Sequence, residues 1–218
     1  MCVEMTELRG DEMVQVDEKC QQQLVVAIGN TEELNYYRSI DECAKNDSNS
    51  LIENGAPAHA TYLMVKMFSK AARQIRLFSG SLCLACAKND IPNKEKVYAS
   101  DDLIKEAVDF LLVRGGKLNI VLERDIDGEL NSHPLIKAID DIKDKIKGQV
   151  RVCKLLPEAD IPDRKHFMTM DNQAYRVEYD HKNTKAFANF GDKILACTWV
   201  DYFDTTLLPN SKPIYEIK

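Results

Sequence analysis

Between residues 58 and 157 the apolar positions switch repeatedly between two periods, and that alternation limits the possible folds most strongly. From Ala58 to Arg73, residues Tyr62, Leu63, Val65, Met67, Phe68 and Ala72 recur at helical spacing. Residues 74–84 then read as a strand. Asp101 to Val113 reads as a helix capped by Ser100, and Gly115-Gly116 ends it. Lys117 to Glu123 is a continuous apolar strand of the kind covered on both faces. Pro134 opens a helix predicted to run to about Lys147, and residues 149–157 form the next strand. Strands alternating with helices, followed by hairpins, predict an α/β domain with a mixed sheet between helical layers.

The chain has 218 residues with 44% apolar content, enough to bury the core of one domain. Lys and Arg number 29 against 35 Asp and Glu, a net charge of −6, which excludes a generally basic nucleic-acid surface but allows a local patch. No apolar run reaches the roughly 18 residues of a membrane span, and no signal peptide opens the chain. The expectation is a cytoplasmic protein with reduced cysteines and no membrane association.

Residues 1–22 are polar and weakly patterned and read as an N-terminal arm, with a single domain over 23–218. The run Leu24-Val-Val-Ala-Ile-Gly29 reads as a short strand, followed by a helix start at Thr31. Cys83-Leu-Ala-Cys86 has metal-ligand spacing, but no second pair answers it, and strand residues three apart face opposite ways. Structural thiols without metal or disulfide are expected there. His59 and His133 sit near helix starts, where local capping explains them. Trp199 and Phe203, four apart on the last predicted helix (192–206), should dock it on the sheet.

Past residue 160 the chain reads as a strand entered by His166, a turn at Asp171-Asn172-Gln173, a returning strand, and a third strand ending at Asn189. A two-residue loop would gather Tyr175, Val177 and Tyr179 on the face of Met168 and Met170. A three-residue loop would set Arg176 beside Met168 instead. The first sorts apolar from polar more cleanly and is the expected register.

A strand carrying a His, a hairpin, and a strand ending in Ala-Asn-Phe resembles the catalytic segment of the phospholipase D superfamily, and the element order of residues 55–208 resembles half of such an enzyme. In that family His and Lys share a strand as His-x-Lys, an Asp lies seven after the His, and Gly-Ser-x-Asn follows. The resemblance implies phosphodiester hydrolysis through a phosphohistidine, with a second His as general acid and with Lys and Asn holding the phosphate. His166 matches the His and Asn189 the Asn. Met168 stands at the Lys, and Lys165 leaves the opposite face of the strand. Gln173 stands at the Asp, with Asp171 two residues early, and Ala186 and Phe187 replace the Gly and Ser.

The resemblance therefore implies His166 as the catalytic candidate and Asn189, Arg176 and Asp171 as ligand-binding candidates, with no metal and no cofactor. The reading it favours is a non-catalytic, homodimeric phospholipase D-like module that binds a protein partner or a polyanion such as nucleic acid. A bacterial defence or stress system is the context it suggests. The alternative is a homodimeric phosphodiesterase or nuclease in which each chain gives one His166.

Overall fold

The computed structural model describes residues 18–82, 97–126, 130–162, 164–180 and 185–218, with side chains from residue 31 onward except Val97. The chain divides into two compact units, Met1–Tyr36 and Tyr37–Lys218. Helix α1, Glu18–Lys45, contributes to both. The strand expected over 24–29, and the helix start at Thr31, are therefore replaced by one continuous helix. A six-residue apolar run cannot be told from helix by periodicity, and the Gln and Glu residues flanking this one are good helix formers. The Cys83–Cys86 pair lies outside the described residues.

The second unit holds one eight-stranded sheet. Its strands are β1 (Ile52–Asn54), β2 (Gln74–Ser79), β3 (Lys117–Leu122), β4 (Gln149–Leu155), β5 (Phe167–Met170), β6 (Ala174–Asp180), β7 (Lys185–Asn189) and β8 (Ser211–Ile217). They lie in the order β1-β7-β6-β5-β2-β3-β4-β8. Only β2, β3 and β4 run parallel, and every other pair is antiparallel. Helices α2 (Pro57–Lys70), α3 (Asp101–Leu112) and α4 (Pro134–Asp140) precede or link the parallel strands. The last of these is shorter than predicted, and a 3-10 turn at Lys143–Lys145 follows it. Asp140 and Asp141 crowd its negative C-terminal end, where acids are unfavourable.

Strand β3 is an interior strand with Leu118, Ile120, Val121 and Leu122 all buried, as its unbroken apolar run predicts. Helix α5 (Lys193–Tyr202) covers the other face, and Asp192 caps it by accepting from Leu195 N at 3.0 Å. A π-helical turn, Phe203–Leu207, extends it. Trp199 and Phe203 dock as expected: Phe167 meets their rings at centroid distances of 4.8 and 6.2 Å. Strands β1 and β8 were not foreseen, being a three-residue piece and a half-exposed edge containing Pro213.

The hairpin takes the three-residue turn. Met170 pairs with Ala174 and Met168 with Arg176, so the expected two-residue register is corrected. Apolar sorting failed as a guide because helices cover both faces, and Tyr175, Arg176 and Val177 are all buried. Asp171 decides the register instead. It adopts a left-handed φ of 50°, and its carboxylate accepts from the backbone N–H groups of Ala72, Arg73 and Gln74 at 3.0, 2.9 and 2.7 Å. The hairpin tip is thereby tied to the loop that enters β2.

Replacing Asp171 with Ala removes the acceptors of all three hydrogen bonds and should cost about 2–3 kcal/mol, whereas Asp171→Asn keeps one oxygen and should cost about 1 kcal/mol. Urea denaturation of the two variants beside the parent checks the order and the size.

Candidate functional site

His166 lies where the chain enters β5, against the C-terminal ends of β2 and β3. Its backbone carbonyl accepts from Glu178 N at 2.8 Å, which anchors it to β6. Its ring meets Phe78 edge-on at 5.6 Å. Gly80 leaves room for that ring. A Cβ there would lie 3.0 Å from His166 Cε1 and 2.7 Å from Arg124 Nη2.

Glu123 follows the last residue of β3, and its N–H continues the ladder to Ser79 O at 2.9 Å. Its Oε2 lies 3.1 Å from His166 Nε2, and its Oε1 lies 3.5 Å from Arg164 Nη1. Arg164 is itself fixed: Nε donates to Ile161 O at 3.2 Å and Nη2 to Ala159 O at 2.8 Å. The hydrogen bond from His166 holds the Glu123 carboxyl below its ordinary value of 4.5; partial burial acts the other way, and Arg164 reinforces the lowering. Sequence reasoning missed Glu123 and Arg164. The available signal was a carboxylate placed directly at the C-terminal end of a parallel strand, where α/β proteins commonly build sites.

The other candidates do not gather around His166. Asn189 pairs through Tyr175 with Thr169, three residues along β5, or roughly 10 Å away. Its Oδ1 accepts from Gly191 N and Asp192 N at 2.8 Å each, and its Nδ2 donates to Asn49 Oδ1 at 2.9 Å. It thus organises the turn into α5. Asp171 stands at the far end of β5, holding the β2 loop. Arg176 is 3% exposed and sits beside Met168 in the sheet. His59 meets Tyr37 edge-on at 5.8 Å. His133 takes the N-cap position of α4 without a side-chain cap bond, so the capping expected of it is corrected. Among the described residues no group of three His, Cys, Asp or Glu could hold a metal, and no helix is long and apolar enough to cross a membrane.

No protein-family model matches the sequence, and no curated protein is similar to it in sequence. Solved structures do match. NucT from Helicobacter pylori superposes with a TM-score of 0.50 at 11% identity, over 77% of this chain and 99% of that one. A phospholipase D family member, Nuc from Salmonella typhimurium, gives 0.47 at 16% identity, over 75% of this chain and 97% of that one. TrmBL2, an archaeal chromatin protein, gives 0.47 at 16% identity, over 86% and 63%. The chain is an α/β protein of mixed sheet, and its fold is similar to that of NucT.

The lowered Glu123 carboxyl carries a pH signature. A group whose folded value lies below its unfolded one stabilises the protein above about pH 4.5, and that contribution is lost as pH falls through the lowered value. Glu123→Gln should flatten the loss of stability over that acid window. Denaturation midpoints between pH 3 and 7 check this.

Proposed function

We propose that the chain is a non-catalytic phospholipase D-like module that binds a polyanionic ligand or a protein partner, as a homodimer, in a bacterial defence or stress setting. The observation that supports the loss of catalysis best is the Glu123 carboxylate 3.1 Å from His166 Nε2. It sets a negative charge where an attacking imidazole would have to receive a phosphodiester, itself an anion.

The family spacing points the same way in either alignment. Laid on His166, it finds Met168 at the Lys, and Met168 is 1% exposed with Leu77 and Arg176 as strand neighbours. Laid on Asp171, it finds Arg164 at the His and His166 at the Lys. The first alignment lacks the cation that offsets charge building on the phosphate. The second lacks the nucleophile, because a guanidinium stays protonated and forms no phosphoenzyme. Asn189 cannot restore the phosphate grip while its oxygen and amide hold the β7–α5 turn.

Losing one such stabilising group commonly costs about 10²–10³ in rate, and groups that act as a unit fail together. Purified protein should leave a bis-aryl phosphate, single-stranded DNA and duplex DNA uncleaved above background, and His166→Ala should behave identically. Cleavage abolished by that substitution would instead favour the alternative, a phosphodiesterase or nuclease that uses His166.

A further inference from the structure

At the end of the sheet opposite His166, the α5 face is polar where the rest is apolar. Strand register aligns Arg76, Asn119, Arg151 and Glu216 in one row across β2, β3, β4 and β8. Two cavities open along this end, of about 590 and 400 Å³, and both are lined by Gln74 and Lys117. Together they form one groove, in a chain whose net charge is −6.

The charges in the groove fall into two groups. Some cations are structurally committed. Arg76 donates to both Asp204 oxygens at 2.9 and 2.7 Å. Arg114 donates to the Phe68, Ser69 and Ala71 carbonyls at the end of α2. Glu216 is shared between Arg151 and Lys218, at 3.8 and 3.3 Å. The Asp171 carboxylate is already offset by its three backbone donors. Arg73 and Lys117 are different: both are exposed, and neither carries an ion pair among the described residues. They stand over a floor of preformed cations and the amides of Gln74, Asn119 and Gln149, and among the described residues no aromatic side chain lines either cavity.

We infer that this groove binds a linear oligophosphate. Its length from Gln74 on β2 to Gln149 on β4 is two strand spacings, roughly 10 Å, which suits several linked phosphates better than one. Lys117, where the cavities meet, would lie between successive anionic groups, with Arg73 at one end. Without an aromatic wall there is nothing on which a base could stack, so the phosphate chain itself is the part recognised. The inference rests on reading the chain as a binding module, and it gives that module a ligand class and a place distinct from the His166 rim.

Calorimetric titration of the full-length protein at about 0.1 M salt, with tripolyphosphate, orthophosphate, ATP and a mixed-sequence DNA duplex, tests it. Tripolyphosphate should bind about tenfold or more tightly than orthophosphate, and ATP no better than tripolyphosphate. The double variant Arg73→Glu, Lys117→Glu should weaken tripolyphosphate about tenfold or more while melting like the parent, because both side chains are exposed. Arg124→Glu, an exposed position at the other end of the sheet, should leave it unchanged. Equal affinity for orthophosphate, indifference to the double reversal, or a duplex that outcompetes tripolyphosphate would each overturn the proposal. Loss of binding in Arg124→Glu alone would also overturn it, moving the ligand to the His166 rim and leaving the binding-module reading intact.

Discussion

Three backbone N–H groups converging on Asp171 join parts of the chain nearly a hundred residues apart. Strand β2 opens the parallel half of the sheet and β5 opens the antiparallel half, and they pair directly. Asp171 sits at the tip beyond β5, and its N–H donates to Gln74 O at 2.8 Å while its side chain receives the Ala72, Arg73 and Gln74 amides. Both polarities of that loop are satisfied by one residue, so the seam between the two halves has a single register. The burial of Phe167, Tyr175 and Val177 under α5, and the position of His166 at the opposite end of β5, follow from that alignment.

The two ends of the sheet consequently have different electrostatic characters. At the His166 end, the Glu123 carboxylate is engaged by one imidazole and one guanidinium, and the Arg124 guanidinium lies beside them at Gly80. At the other end, cations outnumber acids, and the acids present are already committed to backbone amides or to neighbouring side chains. The proposed anion groove thus lies at the end of the sheet away from the His166 cluster. Fold likeness says nothing about this distribution, which belongs to the side chains.

Much of the sheet was legible in the chain. Strand β3 announced itself because it is apolar on both faces, and the helices before and after it because their apolar spacing is helical. The failures had physical causes. Leu24 to Gly29 is too short a run to separate strand from helix without knowing what covers it. The hairpin register was misjudged because polar Arg176 and Glu178 are buried beside apolar neighbours, so hydrophobic sorting carried no information there. Strand β8 alternates exposed and half-exposed residues and contains a proline, both of which hide an edge strand. Within the site, His166 could be found from the strand it enters. Its partners Glu123 and Arg164 come from a different strand and from a loop, and only tertiary pairing brings them together.

The two borders of the sheet bear on how copies of this chain can meet. Strand β1 offers only three residues, and β8 pairs with β4 through an irregularity at Val152/Cys153, opposite which stands Pro213. A proline has no amide to donate, and a bulged border twists away from a flat neighbour. Neither margin can template a further strand over any useful length. Fibrous stacking by backbone ladder is thereby discouraged at both margins, and a self-complementary pair of these molecules has to be joined through side chains on its helical or groove-bearing surfaces.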